Sequence, residues 1–136
     1  MRWWMKPAAA GCLLAGLVAA AALALRPWAG QSLPAIPLAV LPGIYAGIAW
    51  RVRDRALLAV ETGATLFFLF LFLAGMAASP VIHLVGYLVQ GVWSLAHHPR
   101  YIRSPGPWWW TPLCAACDWT LALFLLGLLP GRVPGS

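Results

Sequence analysis

The feature that most constrains the fold of this chain is a series of five apolar stretches separated by short polar, mostly basic segments. The stretches cover residues 7–25, 33–50, 56–78, 80–96 and 112–129. A helix that crosses the hydrocarbon core of a bilayer needs about 20 mostly apolar residues, with about 17 as the lower end. Helices also pair every backbone polar group internally, which the bilayer requires. The sequence therefore predicts an all-α fold, a polytopic transmembrane helical bundle of five spans that forms one membrane domain over residues 1–136.

The composition excludes most soluble classes of protein. Of the 136 residues, 62% are hydrophobic and only 9% are charged, whereas a soluble domain carries about 25% charged residues. A soluble enzyme, a disordered tail and a secreted disulfide scaffold are excluded on this ground. The net charge of +6 is scattered in short clusters and does not form the basic stripe typical of nucleic-acid binding. We therefore expect membrane lipid as a partner and no nucleic acid.

Two of the five spans have an alternative interpretation. The first, residues 7–25, follows Arg2 and Lys6 and so resembles a signal peptide, whose cleavage would leave four spans. The second, residues 33–50, contains prolines, which remove backbone donors and bend or break a helix. A re-entrant passage is therefore an alternative to a full crossing, and it would also leave four spans. These prolines are Pro34, Pro37 and Pro42.

The basic residues between the spans indicate an orientation. Lys and Arg are retained on the cytoplasmic side of a membrane, and seven of the nine fall on one side of the five-span arrangement. These seven are Arg2, Lys6, Arg51, Arg53, Arg55, Arg100 and Arg103, against Arg26 and Arg132 on the other side. The distribution predicts a multi-pass protein of the inner (plasma) membrane with its N-terminus in the cytoplasm.

Tryptophan is concentrated at the predicted cytoplasmic boundary. Six of the nine tryptophans fall there, namely Trp3, Trp4, Trp50, Trp108, Trp109 and Trp110. Indole side chains anchor helix ends at the level of the lipid headgroups, so this pattern is typical of an aromatic belt. We expect the segment 99–110 to lie partly flat on the membrane, with Arg100 and Arg103 facing anionic lipid.

Two carboxylates fall inside predicted spans, and they are the first candidates for chemistry. Glu61 lies early in the third span and Asp118 early in the fifth. At 1.5 Å per residue, both lie roughly 8–9 Å below the same boundary. An ionisable side chain in hydrocarbon is costly and normally faces the bundle interior. The sequence therefore predicts that the two carboxylates share one depth inside the bundle.

The fourth span adds a polar stripe. Positions 90, 94, 97 and 98 fall within roughly 100° of the surface of a helix, and the stripe extends backwards to two further polar residues. Its members are His83, Tyr87, Gln90, Ser94, His97 and His98. A polar stripe on an otherwise apolar helix cannot face lipid. It should therefore face the helices that carry Glu61 and Asp118.

The fifth span begins with Cys114, Cys117 and Asp118 on or near one face. Carboxylate and imidazole are ligands for zinc, iron or manganese, and a thiol favours zinc. The predicted site is thus a divalent-metal site with Glu61, His97, His98 and Asp118 as ligands, one carboxylate serving as catalytic base. Its predicted pocket residues are Tyr87, Gln90, Ser94, Cys114 and Cys117. The same side chains also have a structural interpretation, in which the histidines cap a helix and the carboxylates hold the bundle together.

Residues 57–129 resemble a family of small bacterial integral membrane proteins of unassigned function. Those proteins have a glutamate early in one span, a His-Gly-x-Trp-Asp-x-x-His-His run and a Cys-Ala-x-Cys-Asp start to the last span. Here the corresponding residues are Glu61, the run from Gln90 to His98, and the run from Cys114 to Asp118. Gln90 and Ser94 replace the histidine and aspartate of the family pattern, so two of its potential ligands are absent. The resemblance implies a shared fold more directly than a shared activity.

Three functional hypotheses follow from the sequence. The first is a membrane-embedded metalloenzyme that acts on a lipid-like or isoprenoid-like substrate. The second is a non-enzymatic bundle, such as a transporter subunit, a channel element or a partner-binding protein. The third, thiol oxidation through Cys114 and Cys117, is disfavoured because Cys12 is alone and cannot relay electrons. Small residues at Gly43 and Gly47 are typical of helices that self-associate, which predicts a homo-oligomer.

Overall fold

The computed structural model describes residues 3–25, 32–97, 102 and 106–128, and all regular structure in this part of the chain is helical. The five α-helices are α1 (Met5–Ala24), α2 (Ile36–Val52), α3 (Arg55–Ala77), α4 (Pro80–Ala96) and α5 (Trp110–Leu128). A 3-10 turn, Leu33–Ala35, leads directly into α2. The predicted all-α class is confirmed, and the helices coincide with the five apolar stretches to within a few residues.

Four helical segments are long and apolar enough to cross a membrane. They are Met5–Ala24, Leu33–Val52, Arg55–Ala77 and Trp110–Leu128. The remaining helix, α4, has 17 residues, which corresponds to about 26 Å of helix against about 30 Å of hydrocarbon. The protein is therefore a helical membrane protein, and α4 is the shortest of its five helical segments.

The proline-rich second segment is one continuous helical passage. Pro34 and Pro37 lie in first turns, where a backbone N–H has no intrahelical partner and its absence costs little. Pro42 lies inside α2 and is buried, but the helix continues past it. Leu33–Val52 shows no reversal of direction of the kind that a re-entrant segment needs, so a full crossing accounts for it better.

The short loops between helices are held by local capping. The Asp54 carboxylate accepts a hydrogen bond from the Leu57 amide at 3.0 Å and begins α3. The Ser79 hydroxyl accepts from the Val81 amide at 3.3 Å and begins α4, with Pro80 in its first turn. These connections, of two residues each, force α2, α3 and α4 to run antiparallel to their sequence neighbours.

The helices form a bundle in which α5 packs between α1 and α4, and α3 packs between α2 and α4. α1 and α5 are parallel, and they approach each other closely at Gly11. A Cβ added to Gly11 would lie 2.2 Å from the carbonyl oxygen of Leu113, so glycine is required for this contact. On the same two helices, the hydroxyl of Thr120, seven residues beyond Leu113, contacts the Cys12 sulfur at 3.4 Å.

The outer faces of the bundle are apolar and exposed, whereas the interior contains most of the polar side chains. In α3 only Glu61, Phe68 and Gly75 are buried, and they lie seven residues apart on one line. Large side chains such as Phe67 and Phe70 point away from the bundle. This arrangement, with apolar groups outside and polar groups inside, is that of a protein whose surroundings are lipid.

Candidate functional site

The polar stripe of α4 faces the bundle interior, as the sequence predicts. The buried residues of α4 are His83, Gly86, Tyr87, Gln90, Gly91 and Ser94, and His97, at the C-terminal end of the helix, is also buried. Their spacing of three and one residues places them on one face. α4 is therefore the helix that brings polar groups to its neighbours α2, α3 and α5.

Glu61 and His97 form a direct contact between α3 and the end of α4. Oε1 of Glu61 lies 2.5 Å from Nε2 of His97, and both side chains are almost fully buried. Nδ1 of His97 lies 2.8 Å from the carbonyl oxygen of Trp93. Because a carbonyl only accepts, Nδ1 carries a hydrogen and donates it. The short Nε2 contact then contains one more proton, so the pair is either an imidazolium with a carboxylate or a neutral imidazole with a carboxylic acid.

Tyr45 of α2 completes the surroundings of His97, and sequence reasoning missed it. Its ring lies against the imidazole with centroids 4.2 Å apart. Its hydroxyl is buried beside the side chains of Ser94 and Cys114, without a hydrogen bond of ordinary geometry to the described residues. The signal in the sequence was the spacing of the buried residues of α2, which are Leu38, Pro42, Tyr45 and Ala49. This spacing of four, three and four residues defines the inward face of a helix. The prolines in the same segment drew attention to a possible break in the helix and away from this face.

Asp118 forms a second, separate polar contact. The Ser94 hydroxyl donates to Oδ2 of Asp118 at 3.4 Å, while Oδ1 is buried without a partner. Cys114 and Cys117, on the same helix, are buried free thiols. Asp118 and Glu61 thus both turn inward, as the sequence predicts, but each is joined to a different residue of α4.

Other predicted site residues have structural partners elsewhere. The Tyr87 hydroxyl donates to the carbonyl oxygen of Pro34 and ties α4 to the 3-10 turn. Nε2 of His83 lies 2.9 Å from the carbonyl oxygen of Phe72 and therefore donates to it. Gln90 is buried, and its side-chain oxygen has no partner in the described part of the chain. His98 lies outside the described residues.

A cavity of about 320 Å³ lies at the end of the bundle where the tryptophans gather, which we call the tryptophan end. It is lined by Trp3, Trp4, Trp108 and Trp110 together with Leu95 and His97. The rings of Trp3 and Trp108 meet edge to face, with centroids 5.4 Å apart. The cavity is open to the exterior on one side. His97 therefore links the buried polar cluster with an apolar, aromatic cavity.

Within residues 3–25, 32–97, 102 and 106–128, no three His, Cys, Asp or Glu side chains are grouped closely enough to hold a metal ion. The metal site of Glu61, His97, His98 and Asp118 stays a prediction. Gly43 and Gly47 have nothing within 4 Å of an added Cβ, and the predicted homo-oligomer also stays a prediction.

The fold and the site together define a helical membrane protein with a buried polar cluster beneath an aromatic cavity. Comparison of the chain with protein-family models, with curated proteins and with solved structures finds no match. The resemblance to the small bacterial membrane-protein family, carried by Glu61 and by the runs from Gln90 and Cys114, therefore stays a prediction.

Proposed function

We propose that the protein binds the polar end of a lipid-like, amphipathic molecule in the cavity at its tryptophan end. The observation that carries this proposal is the cavity itself, about 320 Å³ in volume and walled by four indole rings. This volume lies at the lower end of the range of small-molecule sites, about 300–1,000 Å³. Its position at the ends of membrane-spanning helices supports a ligand that reaches it from the bilayer.

The polar groups of the cavity wall favour a ligand with a hydrogen-bond acceptor. The indole N–H of Trp110 is buried and has no hydrogen-bond partner among the described residues. An indole nitrogen donates only, and a buried donor without a partner is costly. A hydroxyl, carbonyl or phosphate oxygen of a ligand that displaces the groups covering this nitrogen would satisfy it, while the other indoles surround the adjoining carbon chain.

The contacts of His97 favour binding over catalysis. Both ring nitrogens are engaged by the protein, one by Glu61 and the other by the carbonyl of Trp93. A catalytic acid or base must reach the reacting group with a free nitrogen or oxygen. In this arrangement His97 forms a rigid part of the cavity wall. This supports the hypothesis of a non-enzymatic bundle over that of a membrane-embedded metalloenzyme.

Photo-crosslinking tests the proposal. The protein is reconstituted in lipid nanodiscs with a fatty alcohol that carries a diazirine next to its hydroxyl, and labelled peptides are identified by mass spectrometry. We expect labelling to concentrate at Trp3, Trp4, Leu95 and Trp110. Uniform labelling that includes exposed lipid-facing residues such as Leu13 to the same extent would contradict a specific site.

A matched pair of variants provides the control. Leu95 lines the cavity, whereas Leu88 is on the same helix with similar exposure and does not line it. Leu95→Trp should fill the cavity and reduce labelling of the tryptophan end. Leu88→Trp adds the same side chain elsewhere and should leave that labelling unchanged.

A second candidate function is proton-coupled transport. Four buried polar atoms from four different helices have no hydrogen-bond partner within the described residues. They are the Tyr45 hydroxyl, Oε2 of Glu61, the side-chain oxygen of Gln90 and Oδ1 of Asp118. Buried polar groups of this kind mark ion and proton pathways in membrane proteins. Proton flux into liposomes that Glu61→Gln and Asp118→Asn leave unaffected would count against this candidate.

We also infer that the N-terminus is cytoplasmic in the plasma membrane. The supporting observation is the uneven distribution of Lys and Arg along the sequence, together with four segments that are long and apolar enough to span.

A further inference from the structure

A second cavity, separate from the tryptophan-lined one, lies where α2 ends and α3 begins. It has a volume of about 460 Å³ and is lined by Trp50, Arg53, Asp54, Arg55 and Leu58. Trp50 is largely exposed, at 73% of its full area. The cavity thus combines two guanidinium groups with an indole and an aliphatic side chain at the edge of the membrane-spanning region.

The positive charge around this cavity is only partly neutralised by the described residues, because Arg53 and Arg55 line it together with one carboxylate, that of Asp54. No guanidinium group of Arg51, Arg53 or Arg55 makes a hydrogen bond or an ion pair with the described residues. The whole chain has three acidic residues, and two of them, Glu61 and Asp118, are buried in the bundle. The third, Asp54, uses one carboxylate oxygen to cap α3. The cavity therefore attracts an anion from outside the chain.

The backbone of Arg53 supplies a second, independent observation. Its φ of 59° and ψ of 27° are left-handed, and it is the one non-glycine residue with positive φ in the described part of the chain. Glycine is the usual residue at this position after a helix because it has no Cβ to clash. An arginine is thus held in an unfavourable conformation, which persists only where the surrounding structure fixes it, and this same arginine lines the cavity.

We infer that this cavity binds the headgroup of an anionic glycerophospholipid of the surrounding bilayer. The phosphate lies between the guanidinium groups of Arg53 and Arg55, which donate charge-assisted hydrogen bonds to its oxygens. Trp50 and Leu58 cover the glycerol and the first carbons of an acyl chain. A bilayer lipid is the source because the apolar side of the cavity continues into the exposed surface of membrane-spanning helices.

Lipid binding by purified protein in detergent tests the inference. Phosphatidylglycerol and phosphatidylcholine with identical acyl chains are titrated separately, and bound lipid is counted by native mass spectrometry. Glycerol 3-phosphate is added at matched concentration as a soluble phosphate. We expect phosphatidylglycerol to bind about tenfold more tightly than phosphatidylcholine, and glycerol 3-phosphate not to displace it.

Variants separate this site from general attraction between basic residues and anionic lipid. Arg53→Gly removes a guanidinium and also relieves the left-handed strain, so this variant should unfold at the same or a higher temperature in lipid-free detergent. Combined with Arg55→Gln, it should weaken phosphatidylglycerol binding about tenfold or more. Arg51→Gln, which removes the same charge outside the cavity, should change binding by less than about twofold.

Three results would overturn the inference. Unchanged phosphatidylglycerol binding in the Arg53→Gly and Arg55→Gln double variant would show that the cavity is not the site. An equal loss in Arg51→Gln would show that binding depends on overall charge alone. Displacement of the lipid by glycerol 3-phosphate would identify the ligand as a soluble phosphate and not a bilayer lipid.

Discussion

The ring of Tyr45 lies against the imidazole of His97, with centroids 4.2 Å apart and planes inclined by 33°. His97 is therefore held by three different groups. Glu61 contacts one ring nitrogen, the carbonyl of Trp93 accepts from the other, and Tyr45 covers a face. Because these groups belong to α2, α3 and α4, a single imidazole joins three helices beneath the tryptophan-lined cavity.

Replacing Glu61 should reveal how much its contact with His97 stabilises the bundle. Glu61→Ala leaves Nε2 of His97 buried without a partner and should cost about 3–5 kcal/mol in the free energy of unfolding. Glu61→Gln keeps the shape, and its amide can donate to Nε2, so it should cost only about 1 kcal/mol. Unfolding in mixed detergent micelles measures both values. Equal losses would contradict this expectation, because they would mean that the glutamine amide does not replace the carboxylate at Nε2.

The two buried tyrosines provide a test of hydrogen bonding. The Tyr87 hydroxyl donates to the carbonyl of Pro34, so Tyr87→Phe should cost about 1–3 kcal/mol because that acceptor loses its partner. The Tyr45 hydroxyl lies beside Ser94 and Cys114 without a hydrogen bond of ordinary geometry to the described residues, so Tyr45→Phe should cost less than Tyr87→Phe. Both changes remove one oxygen from a buried ring, and thermal unfolding compares them directly. A larger loss of stability in Tyr45→Phe than in Tyr87→Phe would contradict the hydrogen bond between Tyr87 and Pro34.

The contact between α1 and α5 can be tested with alanine. A Cβ on Gly11 would lie 2.2 Å from a backbone oxygen of Leu113, so Gly11→Ala must push two helices apart. We expect it to cost about 1–3 kcal/mol. Gly16 lies on the same helix with nothing within 4 Å of an added Cβ, and Gly16→Ala should be neutral or slightly stabilising. The temperature of unfolding of the two variants gives the comparison, and similar shifts would exclude a close approach.

The number of crossings decides on which side the C-terminus lies. If all five helices cross, including the short α4, the termini are on opposite sides of the membrane. Alkaline phosphatase fused after Ser136 should then be active and a fluorescent protein fused there should be dark. The reverse pattern would show an even number of crossings or the opposite orientation.

The periodicity of α4 made its inward face predictable. The polar residues of this otherwise apolar helix are His83, Tyr87, Gln90 and Ser94. Because polar groups that face lipid are costly, these side chains are expected in the bundle interior. The positions of Glu61 and Asp118 inside apolar spans likewise predicted that both turn inward, as they do, while their shared depth stays a prediction. The partner of each carboxylate was not predictable, because it depends on how each helix is rotated about its own axis. Asp118 reaches Ser94, and Glu61 alone reaches His97.

Amino-acid sequence alone determined the membrane setting, the five helices, their order and the polar face of α4, because these properties depend on local hydropathy and residue spacing. Tertiary structure decided which side chains meet. It assigned Tyr87 to the backbone of Pro34, brought Tyr45 onto His97 and formed both cavities. Contacts of this kind depend on the distances and rotations between helices. Close approaches such as that at Gly11 determine these distances and rotations, and the residue pattern of a single helix does not.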